Sequence, residues 1–358
     1  MTSRSRLQLT LHHGIADRVP MTDTCYWPQT VERWRTEGLP DGVEPADHFG
    51  LDPLATFGFR SDLGLPEEVL EENERWRIYR GPNGCSVKEW KPDSGEYAPP
   101  ARVDCLVKTW EEWRKVRDRL TVDPARVAEA DYERYRQLRE RDTFIALSPT
   151  EPMWFLIEAL TGFQDGLPML AAEPELARDI ITRHADFTLG MCQYLVDRGL
   201  KFDALWFFAD LCYKNGMLFS PQCYRELVRP VHARFKEWCA AHDLPLLLHC
   251  DGDVRELLPL LIEVGFDAIQ PLEARCGNDV RDLKQEYGTG IVFFGNISAD
   301  VLADGTDDEV EAEVTSKVLA AKAGGGYIYH IDHSVPPTIS LARYARALAL
   351  VREHGAYD

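Results

Sequence analysis

The chain has 358 residues, 45% of them hydrophobic and 28% charged, and its formal net charge at pH 7 is −19. This acidic balance argues against a nucleic-acid partner, because such binding depends on Lys and Arg neutralising phosphates. No stretch offers the roughly 18 consecutive apolar residues of a membrane span, and the N-terminal residues lack the apolar run of an export signal. We therefore expect a cytoplasmic protein with neither a nucleic-acid nor a membrane partner.

A chain of this length fits one α/β barrel with insertions, so we expect a single domain over residues 1–358. Its nine cysteines are odd in number and show no Cys-x-x-Cys spacing. Reduced thiols, rather than a disulfide framework, are the expected state.

The N-terminal third has the weaker pattern. Residues Arg18–Met21 predict a first strand and Leu54–Phe59 a weak second one. Within about residues 66–108, two alternating segments flank a Gly-Pro-Asn-Gly turn and predict a β-hairpin inserted into the domain. The strongly charged residues 110–135 predict a surface helix, or two helices broken near Pro124.

From about residue 140 onward, short apolar runs alternate with amphipathic stretches. This alternation predicts an α/β fold whose parallel strands are covered on both faces. The predicted strands are Phe144–Leu147, Ala204–Phe208, Leu244–His249, Ala268–Leu272, Ile291–Phe294 and Tyr327–Ile331. Helices are predicted at Gln222–Ala241, Arg255–Val264 and Asp307–Ala323, from their capping residues and terminal glycines.

Polar residues just beyond strand ends are the first place to look for chemistry, because the loops after parallel strands line one face of a barrel. The two-residue period of a strand places His249 and Asp251 on one side and Cys250 on the other. His249 and Asp251 could share a metal ion or a substrate. Alternatively, His249 is a core histidine and Asp251 caps the following helix.

Three further loops carry titratable groups. Glu273 follows the next predicted strand, although a lone Glu there is often a surface residue. Asp210 and Tyr213 lie just past an earlier strand, where Asp210 could simply cap a loop. His330 lies in the last predicted strand and His333 in the turn beyond it. Each could supply an acid, a base or a metal ligand, or be structural.

Several short motifs in this order resemble the uroporphyrinogen decarboxylase superfamily. They are Asp17–Pro20 with Trp27 and Glu32–Trp34, Ser220–Arg225, His249 with Gly252, Gly295–Ile297, and Gly326–Pro336. The resemblance covers nearly the whole chain. It implies an enzyme with a (β/α)₈ TIM barrel, here with the N-terminal β-hairpin as an insertion. The superfamily contains porphyrinogen decarboxylases and zinc-dependent, corrinoid-linked methyltransferases.

The methyltransferase branch binds zinc through His-x-Cys after the fifth strand, a Glu one unit later and a Cys after the last strand. Matching these positions, the resemblance implies a metal site of His249, Asp251, Glu273 and His333, in which Asp251 and His333 replace the two thiolates. His and carboxylate ligands favour a harder ion than thiolates do. Zn²⁺ is still the expected ion, with Fe²⁺ or Mn²⁺ as alternatives. A corrinoid would come only on a partner protein.

The decarboxylase branch holds substrate carboxylates with an N-terminal arginine pair. This chain has Thr22–Trp27 at that place and no such pair, so porphyrinogen decarboxylation is not expected. A metal-free decarboxylase or lyase remains the competing function, with Asp210 or Asp251 stabilising a cationic intermediate and His333 moving protons. A non-catalytic binding barrel is the third.

The roles predicted for the remaining residues follow from the leading hypothesis of a metal-dependent methyltransferase. Asp210, Tyr213 and His333 are predicted to be catalytic. Asn296, His330 and Asp23 are predicted to bind substrate. We expect a small-molecule substrate, and we consider a corrinoid protein and a second copy of the chain, in a homodimer, as further partners.

Overall fold

The structure is a computed structural model that describes residues 1–91, 94 and 100–357. Its strands are, in chain order, β1 Leu54–Phe57, β2 Glu68–Glu72, β3 Trp76–Arg80, β4 Cys85–Trp90, β5 Ala101–Cys105, β6 Phe144–Leu147, β7 Ala204–Phe208, β8 Cys212–Tyr213, β9 Gly216–Met217, β10 Leu246–Cys250, β11 Ala268–Pro271, β12 Val292–Phe294 and β13 Tyr327–Ile328.

Seven strands form one curled parallel sheet in the order β1-β6-β7-β10-β11-β12-β13. All four residues of β6 are buried, as expected of a strand covered on both faces. The predicted α/β fold with a parallel sheet is therefore confirmed. The last predicted strand, Tyr327–Ile331, is shorter than expected because Tyr329 and Ile331 form isolated bridges with Met21 and Ile297 instead.

The segment that was predicted to be the first strand connects the two edges of this sheet. On one side, Tyr329 N donates to Pro20 O at 2.8 Å and Thr22 N donates to Tyr329 O at 3.1 Å. On the other side, Asp52 N donates to Met21 O at 2.7 Å. A longer ladder is prevented because Pro20 has no N–H to donate.

A second, antiparallel sheet lies between β1 and β6 in the sequence, in the order β2-β3-β4-β5. The predicted hairpin corresponds to its two central strands, β3 and β4. The outer strands β2 and β5 were not predicted. Residues 92, 93 and 95–99 of the predicted insertion lie outside the described residues.

The expectation that all cysteines are reduced thiols is corrected in this sheet. Cys85 and Cys105 are direct cross-strand partners of β4 and β5, and their sulfur atoms are bonded at 2.14 Å. The pairing follows from strand register, which brings together two cysteines 20 residues apart. Their spacing in the sequence gave no indication of it.

Helices surround the parallel sheet. They are α1 Ser3–Leu11, α2 Pro28–Glu37, α3 Pro45–His48, α4 Trp110–Val116, α5 Glu129–Glu140, α6 Pro152–Trp154, α7 Gly162–Ala172, α8 Pro174–Asp197, α9 Pro221–Cys223, α10 Arg229–Ala241, α11 Leu258–Val264, α12 Val280–Tyr287, α13 Ala299–Asp304, α14 Asp307–Lys322 and α15 Leu341–His354. Among the described helices, none is long and apolar enough to cross a membrane.

Two of the predicted helices are interrupted. The charged region 110–135 contains α4 and the start of α5, with Pro124 in a short 3₁₀ turn between them. The helix predicted at Gln222–Ala241 consists of α9, a π-helical segment at Tyr224–Val228 and α10. Pro230 lies at the start of α10 and cannot donate to the carbonyl of Glu226. Arg178 Nη1 donates to that carbonyl instead, at 2.7 Å.

Side chains alternate between two cores across the parallel sheet. Outward-pointing residues such as Ile145 and Leu248 pack in the large core beneath the helices. Inward-pointing residues such as Trp206 and Phe294 pack with Leu7 and Leu11 of α1. Helix α1 therefore covers the amino ends of the strands, where Arg4 pairs with Asp203 just before β7. Polar side chains gather at the opposite, carboxyl ends.

Gly295, directly after β12, is expected to be the most sensitive glycine in the sheet. Its φ is +148°, and a Cβ atom would lie 1.9 Å from the carbonyl oxygen of Pro271. We expect Gly295→Ala to lower the free energy of unfolding by about 3 kcal/mol, because strain and overpacking add. Gly38→Ala is the matched control, since Gly38 has a φ of +119° and no atom within 4 Å of the added Cβ. If urea unfolding shows the same loss of unfolding free energy for both variants, the proposed clash at Gly295 is contradicted.

Candidate active site

Three predicted site residues converge at the carboxyl ends of β7 and β10. Potential ligand atoms of Asp210, His249 and Asp251 all lie within 4.8 Å of one another. His249 Nε2 is 3.7 Å from Asp210 Oδ1 and 3.8 Å from Asp251 Oδ1. The strands are neighbours in the sheet, and Asp251 N donates to Asp210 Oδ1 at 2.9 Å. One imidazole and two carboxylates form a donor set suited to a divalent ion.

The carboxyl group of Asp251 is partly buried, and its pKa is raised. Its Oδ1 atom is buried without a hydrogen-bond partner among the described residues. Burial is the main cause that raises the pKa of the Asp251 carboxyl, and the neighbouring Asp210 raises it further, while His249 and His333 lower it. A buried carboxylate oxygen without a partner is costly. A bound cation would satisfy it, so the residues present fit a metal ion.

The other two predicted ligands, His333 and Glu273, are arranged differently. His333 Nε2 lies 3.7 Å from the second oxygen of Asp251, Oδ2. Glu273 accepts a hydrogen bond from Gly252 N at 2.8 Å through Oε2 and pairs with Arg275 through Oε1. Both oxygens of Glu273 are therefore engaged in holding the loop that follows β10. His333 adjoins the three-residue cluster, whereas Glu273 binds the backbone of Gly252, directly after Asp251.

Two neighbours that the sequence analysis missed fix the His249 ring. Gln270 Oε1 lies 2.5 Å from His249 Nδ1. The Phe208 ring stacks on the imidazole, with centroids 4.8 Å apart and planes inclined by 24°. Gln270 could have been noticed, because it is the one polar side chain in the apolar run of β11. Cys250 is buried in the outer core, as the alternation predicted.

Asn296 and His330, which were predicted to bind substrate, form hydrogen bonds with the protein backbone instead. Asn296 is fully buried; its Oδ1 accepts from Val280 N at 3.1 Å and its Nδ2 donates to Asn278 O at 2.8 Å. His330 is buried, and its Nε2 accepts from Thr24 N at 3.1 Å. Both side chains thus connect loops at the carboxyl ends of the strands.

Asp23, also predicted to bind substrate, is buried. Its carboxylate accepts hydrogen bonds from Ile331 N at 2.8 Å and from the Tyr344 hydroxyl. Tyr213, predicted to be catalytic, has an exposed ring, and its backbone carbonyl accepts from Asp253 N at 3.0 Å. The Tyr213 backbone also packs against Gly252, where a Cβ would approach within 2.7 Å.

A cavity of 480 Å³ adjoins His333 and offers room for a ligand. Trp27, Arg275 and Asp332 also line it. Its volume falls within the range of about 300–1,000 Å³ typical of small-molecule sites. Burial raises the pKa of Asp332 to about 6, although its carboxylate accepts from Ala299 N and Ala274 N. The lining of the cavity therefore includes an aromatic ring, a positively charged group and a carboxyl group.

The burial of Asp23 predicts a pH-dependent change in stability. Burial raises the pKa of this carboxyl from 3.8 to about 7. Because its ionisation is disfavoured in the folded protein, stability is lost as the pH rises from about 4 to about 7. Between pH 5 and pH 8 this loss is about 3 kcal/mol, since each pKa unit corresponds to about 1.4 kcal/mol.

We therefore expect Asp23→Asn to gain about 3 kcal/mol of unfolding free energy relative to the unsubstituted protein when the pH is raised from 5 to 8. The amide can still accept from Ile331 N and can donate to Tyr344. Urea unfolding at both pH values measures the difference. A stability difference that stays constant with pH would contradict the raised pKa.

Comparisons with known proteins agree with this architecture. The family model "Uroporphyrinogen decarboxylase (URO-D)" matches residues 143–354. A uroporphyrinogen decarboxylase from Streptomyces avermitilis is 26% identical over 328 residues, which cover 90% of this chain and 81% of that protein. The solved structure of a methyltransferase from Methanosarcina mazei superimposes with a TM-score of 0.67 at 17% identity, covering 99% of this chain and 98% of that one. Because the family model spans more than half of the chain, the protein belongs to the uroporphyrinogen decarboxylase family.

Proposed function

We propose that the protein is a divalent-metal-dependent methyltransferase that acts on a small molecule at the carboxyl ends of its parallel strands. The observation that carries the proposal is the cluster of Asp210, His249 and Asp251, whose ligand atoms lie within 4.8 Å. We further propose that residues 19–22 act as the eighth strand and close the sheet into a (β/α)₈ barrel. Their hydrogen bonds to both sheet edges support this closure.

His249, Asp210 and Asp251 would hold the ion, which, when bound, acts as a Lewis acid that lowers the pKa of an acceptor thiol. The mixed nitrogen and oxygen donors suit Zn²⁺, and also Fe²⁺ or Mn²⁺. We propose that His333, whose Nε2 lies 3.7 Å from Asp251 Oδ2, receives the thiol proton. Phe208 covers one face of His249 and excludes water from it.

The methyl donor in this proposal is a methylated corrinoid carried by a partner protein. The fold shared with the Methanosarcina mazei methyltransferase supports methyl transfer, and the resemblance of the sequence to corrinoid-linked methyltransferases suggests the corrinoid as donor. In the transfer, the acceptor sulfur forms a bond to the methyl carbon while the cobalt–carbon bond breaks. The electron pair of that bond stays on cobalt, and the thiol proton passes to His333 or to solvent.

Free methylcobalamin with 2-mercaptoethanol provides a direct test. We expect the purified protein loaded with Zn²⁺, Fe²⁺ or Mn²⁺ to demethylate methylcobalamin, as followed by its visible spectrum under anaerobic conditions. A chelator should abolish the reaction, and Asp210→Asn should slow it. No demethylation with any of the three ions, either with this thiol or with a panel of other thiols, would contradict the proposal.

A metal-free decarboxylase is the second candidate, and the likeness to the Streptomyces avermitilis enzyme over 90% of the chain favours it. In that case Asp251 would stabilise a cationic intermediate and His333 would move protons. Sensitivity to chelation separates the two candidates. A decarboxylation that persists in the presence of excess chelator would support the second one.

A further inference from the structure

The tautomer of His330 follows from its hydrogen-bond partners. The backbone N–H of Thr24 lies 3.1 Å from His330 Nε2, and a backbone N–H can only donate. His330 Nε2 is therefore an unprotonated acceptor, and the ring proton is on Nδ1, which faces the carbonyl oxygen of Ile331. Burial also lowers the pKa of His330 to about 3, so the ring stays neutral.

The orientation of Gln270 follows in turn. Its carboxamide lies between the two histidines, with Nε2 3.3 Å from His330 Nε2 and Oε1 2.5 Å from His249 Nδ1. The amide nitrogen can only donate and the amide oxygen can only accept. A flipped amide would place its oxygen against the acceptor nitrogen of His330. The oxygen must therefore face His249, whose Nδ1 carries a proton.

We infer that Gln270 is a positioning residue that holds His249 in the Nδ1–H tautomer and thereby leaves the Nε2 lone pair directed at Asp210 and Asp251. Without Gln270 the opposite tautomer would be preferred, because two carboxylates lie within 3.8 Å of Nε2 and favour a donor there. A protonated Nε2 cannot bind a metal ion. The consequence for metal binding rests on the function proposed above, whereas the tautomer itself does not.

The surrounding strands keep this chain of hydrogen bonds in place. His249 and Gln270 are register partners on the neighbouring strands β10 and β11, so their side chains lie on the same side of the sheet. Gln270 is only 2% exposed, and its amide has no competing water-facing orientation. In this chain, His249 Nδ1 donates to Gln270 Oε1, and Gln270 Nε2 donates to His330 Nε2.

Long-range ¹H–¹⁵N correlation spectra of metal-free, ¹⁵N-histidine-labelled protein near pH 8 report the tautomer directly, with His249→Asn used for assignment. We expect the Nδ1–H form of His249 in the unsubstituted protein and the Nε2–H form in Gln270→Leu. Gln137→Leu, on the exposed surface of α5, should leave the spectrum unchanged. An Nε2–H form in the unsubstituted protein overturns the inference, even if the Gln270 variant does not fold.

Zn²⁺ affinity separates this inference from the proposed function. We expect Gln270→Leu to weaken Zn²⁺ binding about 10- to 100-fold, as loss of an outer-shell partner does, in competition with a chromophoric chelator. If the tautomer changes while Zn²⁺ affinity does not, the positioning role stands and the proposed role of His249 as a ligand fails. If the tautomer does not change, the positioning role fails whatever the affinity.

Discussion

Replacing His249 with alanine is expected to weaken the binding of Zn²⁺ at least about 100-fold. Loss of an outer-shell partner alone costs about 10- to 100-fold, and His249 would be the only nitrogen ligand of the three-residue cluster. Asp210 and Asp251 would remain, but two carboxylates leave most of the coordination to water. Competition with a chromophoric chelator, together with metal analysis after gel filtration, measures the loss.

His12→Ala is the matched control for this experiment. His12 is exposed at the end of α1, on the helix that covers the opposite end of the sheet, and its removal should leave Zn²⁺ affinity unchanged. Circular dichroism should show both variants folded. Retention of one equivalent of tightly bound Zn²⁺ by the folded His249 variant would show that the ligands lie elsewhere. That outcome would also remove the main support for metal-dependent methyl transfer.

The strands of the parallel sheet could be predicted because a strand that is buried on both faces is a short, nearly continuous apolar run in the sequence. Phe144–Leu147 and Ala204–Phe208 match β6 and β7 to the residue. The side of β10 that His249 and Asp251 share could be predicted for the same reason, since side chains alternate along a strand. These features depend only on order along the chain.

Contacts between residues on neighbouring strands could not be predicted in this way. Asp210 meets His249 because β7 is the neighbour of β10 in the sheet, and a spacing of some 40 residues does not reveal it. Glu273 follows its strand as predicted, yet Arg275, two residues later, and Gly252 N occupy its carboxylate. Matching positions to a family motif predicts where a residue lies, but its nearest partners decide what it can bind.

The partners of the arginines also decide whether this site can bind a porphyrinogen, the substrate class named by the family model. A porphyrinogen carries several carboxylates that need fixed cationic partners. The segment Thr22–Trp27, which precedes β1, contains no arginine or lysine, and its Asp23 is buried. Two arginines near the strand ends already have partners, since Arg275 pairs with Glu273 and Arg102 pairs with Glu158.

We therefore expect the purified protein to form coproporphyrinogen from uroporphyrinogen at least about 1,000-fold more slowly than the Streptomyces avermitilis enzyme. Two missing charge-assisted contacts of about 2 kcal/mol each correspond to a factor of this size. Moreover, Asp210 and Asp251 would repel an anionic ligand, and a bound divalent ion would relieve this repulsion without supplying a pair of guanidinium groups. Chromatography of the oxidised porphyrins, with that enzyme as positive control, measures the products. Stepwise appearance of hepta- to tetracarboxylic porphyrins at a comparable rate would show that this site binds porphyrinogens through groups other than an arginine pair.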